Sequence, residues 1–275
     1  MFKWYGILGI IGIIFVQLNF VLRIEPFASY YFIIVWPAYI LLMDAIVYHI
    51  SRKSYINDQP MKLLFLFFIS AVLWWIYEFI NVYVGNWNYN TVTGWEALGG
   101  VWRKSLYFST VLPALFLTAE FVKSLHIFDK LKLKHKHKIS KVTIYSMIVV
   151  GLICFVLPVL WPIYFYPLIW LIFFLILDPI NYMHKEPSLL QHFVDRKVGI
   201  ILILALAGLI CGFLWEFWNF LAINKWHYNI PFLGFFKVFE MPILGYLGYI
   251  PFAWSLYAVY HFINSLFKKR EKDII

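Results

Sequence analysis

Charge is scarce in this chain: Asp, Glu, Lys and Arg make up 13% of its 275 residues, against 63% hydrophobic ones, and the mean hydropathy is +0.77. A typical soluble domain carries about a quarter charged residues, so that class is excluded. Cysteine is nearly absent. Cys154 and Cys211 both fall inside apolar stretches, which leaves no disulfide framework and no thiolate metal site. No Gly-x-Ser-x-Gly element supports a serine hydrolase. Paired Asp-rich motifs for magnesium diphosphate are missing, and no cofactor motif is recognisable, so the cofactor stays unknown at this level. The apolar runs do not alternate with polar residues, which excludes a membrane barrel.

Long apolar sequence is what the chain has in quantity. Eight stretches, at roughly 5–22, 27–50, 63–84, 105–125, 142–160, 164–183, 198–223 and 243–267, suit the ~20 residues a helix needs to cross a bilayer. In lipid the backbone must satisfy its own hydrogen bonds, so such runs imply helices. The expected fold is an all-α, polytopic membrane bundle of about eight transmembrane helices. The first stretch follows only Met1-Phe2-Lys3-Trp4 and has no small-residue cleavage site, so a retained span is expected rather than a signal peptide.

A net charge of +9 raises the question of nucleic acid, but its placement points to the membrane instead. With the N-terminus in the cytoplasm, the inner segments hold Lys3, Arg52, Lys53, Lys62, the basic residues from Lys123 to Lys141, then Lys185, Arg196, Lys197 and the tail after Phe267. Outer connections keep five of the 23 basic residues: Arg23, Arg103, Lys104, Lys225 and Lys237. The positive-inside bias therefore places both termini in the cytoplasm, with a cell (cytoplasmic) membrane as the default location. The run from Lys130 to Lys138 suits anionic lipid. Membrane lipids, not nucleic acid, are the expected partners.

The two halves of the chain repeat a pattern. Trp36, Asp44 and Tyr48 recur with identical spacing as Trp170, Asp178 and Tyr182, and Pro113 recurs as Pro251. Glu78-Phe79-Ile80-Asn81, followed by Trp87-Asn88-Tyr89-Asn90, recurs as Glu216-Phe217-Trp218-Asn219, followed by Trp226-His227-Tyr228-Asn229. The expected organisation is a four-span repeat over 1–125, a basic connector over 126–141, a second four-span repeat over 142–267 and a basic tail over 268–275. Four crossings return the chain to its starting side. The copies are therefore expected to be parallel, related by a two-fold axis along the membrane normal, with a site at their interface.

A carboxylate inside a bilayer span costs several kcal/mol unless it is paired or faces a cavity, and this chain keeps one in each half. Glu78 and Asn81 are three apart and share a helix face, as do Glu216 and Asn219. Both pairs fall in the outer part of their spans. Glu78, Glu216 and His227 are the catalytic candidates: two desolvated acids able to hand over a proton, and an imidazole where the first half has Asn88. Asn81, Asn219, Trp87, Tyr89, Trp226, Tyr228 and Glu240 are the substrate-binding candidates, with Glu96 a looser counterpart of Glu240. Each has a plainer reading. The glutamates can cement helices through Asn and Tyr, contributing ~0.6–2 kcal/mol per contact. The tryptophans can be an interfacial belt, and a lone His is more often a hydrogen-bonding residue than a base. Asp44 and Asp178 belong to the inner level, where Asp178-Pro179 reads as a helix N-cap with Pro at the first helical position. Glu120 and His261 lie at similar depth.

Four functions fit this pattern. The first is a membrane enzyme acting on an apolar or amphiphilic small molecule, a lipid or isoprenoid, with a neutral Glu as general acid and aromatic faces stabilising a developing cation. The second is a transporter or channel for a proton, cation or small neutral solute, which needs polar groups at both depths. The third is a zinc or iron site from Glu216, His227, Glu240 and Glu78, weak because only one histidine is near. The fourth is a structural membrane protein without catalysis. The clustering of acids with aromatics at one level favours the first.

Overall fold

The computed structural model describes residues 2–90, 100–135, 137–232, 234–267 and 274–275. Among these residues, eight helical segments are long and apolar enough to cross a membrane. This is the all-α polytopic bundle that the composition implies. The chain runs through α1 (Trp4–Leu22), α2 (Tyr31–Ser51), a one-turn α3 (Tyr55–Asp58) and α4 (Pro60–Val84) into a short strand, β1 (Trp87–Tyr89). After 91–99, which holds Glu96 and lies outside the described residues, come α5 (Gly100–Ser109) and α6 (Val111–Ser124). The second half continues with α7 (Lys141–Leu160), α8 (Pro162–Phe165), α9 (Ile172–Met183), α10 (Leu189–Val194) and α11 (Val198–Leu221). It ends in β2 (Trp226–Tyr228), a tiny hairpin of β3 (Lys237–Val238) and β4 (Met241–Pro242), and α12 (Tyr249–Leu266).

Three crossings are less regular than their hydropathy implies. The fourth starts at Gly100 rather than near 105 and breaks at Thr110, which places Pro113 in the first turn of α6, where its missing N–H is tolerated. The sixth enters α9 through 3-10 turns over Tyr166–Leu171, and the eighth enters α12 through Ile243–Gly248. Small residues bring helices together. A methyl at Gly9 would lie 2.5 Å from the Ala38 carbonyl oxygen, so α1 packs directly on the α2 backbone. Gly208 does the same for α11 against α12, where a methyl would lie 2.4 Å from the Tyr249 carbonyl oxygen.

The aspartates at the end of the bundle away from the strands have structural work. Asp178 is not the N-cap of its own helix: it and Pro179 lie inside α9. Its carboxylate instead accepts from Leu189 N (2.6 Å) and Leu190 N (2.9 Å), while Ser188 Oγ accepts from Gln191 N, so the first three orphan donors of α10 are satisfied. Asp44 does the same for α3, accepting from Tyr55 N (2.6 Å) and Ile56 N (3.4 Å), with Ser54 capping Asn57 N.

Candidate functional site

At the other end, α4 and α11 each hand the chain to a strand through the same device. Asn81, in the last turn of α4, accepts from Asn86 N and Trp87 N and donates to Trp87 O at 2.8 Å. Gly85 makes the reversal possible: it ends α4 at φ +62°, the left-handed region that glycine enters without strain. Asn219 accepts from Trp226 N and donates to Trp226 O, both at 2.9 Å. Each Glu-x-x-Asn element therefore staples its own Trp-x-Tyr strand across the helix end.

The two strands pair with each other. The register is antiparallel, Trp87 opposite Tyr228, Asn88 opposite His227 and Tyr89 opposite Trp226. Side chains alternate along a strand, so Trp and Tyr of each Trp-x-Tyr share one face while Asn88 and His227 take the other. The Trp and Tyr face closes a cavity of about 130 Å³. Six tryptophans line it: Trp36, Trp74, Trp87, Trp170, Trp215 and Trp226, with Phe32, Phe108, Phe252, Tyr89, Tyr228 and Tyr249 among the other rings. Each lid tryptophan leans on a ring from the other half. Trp87 stacks on Trp170 (5.8 Å between centroids) and Trp226 on Phe32 (5.5 Å), contacts of the kind that contribute ~0.5–1.5 kcal/mol beyond area burial.

The glutamates stand behind this wall rather than in it. Glu78 Oε1 accepts from Trp87 Nε1 (3.0 Å) and Tyr89 OH (2.5 Å). Glu216 Oε1 accepts from Tyr228 OH and Tyr249 OH, both at 2.6 Å, and Trp226 Nε1 donates to the Tyr228 oxygen. Glu216 is fully buried, and its Oε2 has no hydrogen-bond partner among the described residues. Burial, followed by the adjacent glutamate, pushes the phenols of Tyr89 and Tyr228 well above their ordinary pKa, so both stay protonated donors. Tyr249 reaches Glu216 only because Gly212, one turn earlier on α11, leaves room: a methyl there would lie 2.3 Å from the Tyr249 ring. Gly212→Ala is expected to displace that ring, break its hydrogen bond to Glu216 and lower the unfolding temperature in detergent while the protein stays membrane-inserted.

His227 and Glu240 sit apart from the cavity. Glu240, in the β3–β4 turn, pairs with Lys225, and its Oε2 lies 3.4 Å from His227 Nδ1. Burial raises the Glu240 pKa, but Lys225 and His227 outweigh it and hold the carboxyl below its usual value. This cluster ties the lid strand to the hairpin. No group of three metal-ligating side chains is gathered among the described residues. No protein-family model, characterised protein or solved structure matches the chain. The reading of the site therefore rests on its geometry.

Sequence reasoning brings together Glu78, Asn81, Trp87 and Tyr89, and likewise Glu216, Asn219, Trp226 and Tyr228. It misses Tyr249, although that residue falls just after a glycine in a Gly-rich turn. It also leaves Trp36 and Trp170 as repeat markers, and Arg103 and Lys104 as mere outer charges, where all four line the cavity.

Proposed function

We propose that the chain is a duplicated integral membrane protein whose halves enclose an aromatic site for an apolar or amphiphilic lipid or isoprenoid, and that Glu216 acts there as general acid. The cavity carries this reading. Its size is close to that of an engineered apolar cavity of ~150 Å³ that stays dry and binds benzene, so it suits one ring or one branched end of a chain, not a whole lipid. The duplication is supported by the strand register. Positions 87, 88 and 89 match 226, 227 and 228, and a two-fold axis between Asn88 and His227 generates the pairing observed. The matching caps at Asp44 with Ser54 and Asp178 with Ser188 fit the same relation.

The chemistry is protonation of an alkene. The proton passes through a wall phenol: Tyr228 or Tyr249 gives its hydroxyl proton to one alkene carbon and takes the proton of the neutral Glu216 carboxyl in its place, while the π electrons form the new C–H bond and leave a cation on the other carbon. Tryptophan faces in the cavity wall stabilise the cation. Loss of a proton from the rearranged product to the same phenol, which passes its own to the Glu216 carboxylate, restores the acid. The transporter reading has less support, because Asp44 and Asp178 are occupied as helix caps.

The test is mass spectrometry of small molecules co-purifying with the wild type and with Glu78→Gln/Glu216→Gln. A specific lipid or isoprenoid held by both, and chemically altered only by the wild type, is expected. No retained ligand in either folded protein would move the assignment to ion or solute transport.

A further inference from the structure

The cavity wall is thin where the eighth crossing begins. Met241, in β4, and Gly245 and Gly248, in the 3-10 turns Ile243–Gly248, line it there. A 3-10 turn takes three residues, so Gly245 and Gly248 share one face. Ile243, Leu244 and Leu247 point elsewhere, and each is more than half exposed. These turns open a membrane-length segment, so the side chains that leave its surface meet lipid. One layer of backbone therefore stands between the cavity and the acyl chains, with no Cβ on its cavity side at the two glycines. Met241 folds over that face: a methyl at Gly245 would lie 2.3 Å from its Sδ. An unbranched thioether swings aside more readily than a branched or aromatic side chain.

The 3-10 turns are tied to the β3–β4 hairpin. Ile243 N donates to Phe236 O (3.0 Å), and Tyr246 OH donates to Val238 O (3.1 Å). In the hairpin turn, Phe239 packs on Phe213, Phe217 and Phe220 of α11, with ring centroids 5.5–5.7 Å apart. Phe213 and Phe220 are each 49% exposed, on the side of α11 away from the buried Trp215 and Trp218. The hairpin thus lies along the lipid-facing side of a membrane span. Phe232 and Phe236, 70% and 80% exposed, continue the same apolar surface, and Phe232 stacks on Tyr164 at 5.9 Å. A patch of this kind marks an interaction surface, and its continuity with the face of α11 makes the bilayer its partner.

The cavity, at about 130 Å³, holds one ring or one branched end, so the rest of a larger amphiphile needs a way out. We propose, on the basis of the cavity reading above, that the glycine face behind Met241 is a lateral portal to the bilayer. The ligand is a long-chain amphiphile that enters from the lipid, places one end among the tryptophans and leaves the rest of its chain in the leaflet. Phe232, Phe236 and Phe239 seat the portal in that leaflet.

The test uses the full chain in phosphatidylcholine nanodiscs with three probes of increasing length, geraniol, farnesol and geranylgeraniol, at equal mole fraction in the lipid. Bound probe is counted by native mass spectrometry. The wild type is expected to bind the two longer probes within tenfold of geraniol or more tightly, because the added chain stays in the bilayer. A loss of tenfold or more from geraniol to geranylgeraniol overturns the portal and leaves a closed site for small ligands. No binding of any probe overturns the cavity reading, and the portal with it. Met241→Phe, which narrows the opening, is expected to weaken geranylgeraniol at least tenfold more than geraniol; equal losses overturn the placing of the portal at Met241. A nitroxide attached in Leu244→Cys is expected to collide more often with oxygen, which concentrates in lipid, than with a water-soluble nickel chelate. The reverse order places the turns in water and overturns the portal.

Discussion

Glu216→Gln is expected to reduce turnover of the co-purifying ligand by ~10²–10⁴-fold, the range that a general acid contributes, while leaving the fold intact. The amide is close to isosteric with the acid. Its carbonyl oxygen still accepts from Tyr228 and Tyr249, so the two phenols stay in place and the lid strand with them. The NH2 group replaces Oε2, the oxygen with no hydrogen-bond partner among the described residues, so no existing hydrogen bond is lost. What disappears is the transferable proton. Ligand affinity in this variant is expected to stay within a few-fold of wild type, because the carboxyl stands behind the wall that touches the ligand. Turnover close to wild type would sink the acid role. Loss of folded protein would instead identify Glu216 as helix cement. Glu78→Gln is expected to have the smaller effect: Glu78 accepts from Trp87 and Tyr89, and its main task is to hold two lid rings.

Much of this arrangement was legible in the sequence because its signals are local. Eight apolar runs give eight membrane-length helical segments among the described residues, and the three-residue spacing of Glu and Asn puts both at one helix end, facing their strand. The alternation in Trp-x-Tyr explains why those two residue types recur while the middle one changes from Asn88 to His227: it faces away from the cavity. Other features depend on contacts that local spacing does not encode. Whether a carboxylate lines a cavity or backs the residues that do is decided by the next helix, and Tyr249 arrives from α12, 33 residues beyond Glu216. His227 looked like a catalytic candidate because it adjoins Trp226 and Tyr228. One residue of offset along a strand sends it to the opposite face, towards Glu240. Asp178-Pro179 resembled a local cap because Asp before Pro is the common signature. The cap is real, but the helix it serves begins 11 residues later.

That last point separates the remaining functional readings. Asp178→Ala is expected to destabilise the protein by ~2–4 kcal/mol, since it leaves the buried Leu189 N and the half-buried Leu190 N without their acceptor, and a buried loss costs ~1–3 kcal/mol. Asp178→Asn keeps one acceptor oxygen but turns an NH2 towards the second amide, so an intermediate loss is expected. Asp44→Ala should cost at least as much, because Asp44 also accepts from Tyr5 OH and Ser54 Oγ, both at 2.6 Å. Thermal unfolding in detergent measures the loss, and ligand retention at low temperature measures function in the fraction still folded. A residue that caps a helix should lower the unfolding temperature and leave the ligand site intact. A residue on a transport route should do the reverse, giving a stable but inactive Asp178→Asn protein. The two aspartates bind backbone amides at the end of the bundle opposite the cavity, and this favours the first outcome. The proposed site lies at the other end, where phenols, indoles and two cations line one cavity and the two glutamates stand behind its wall.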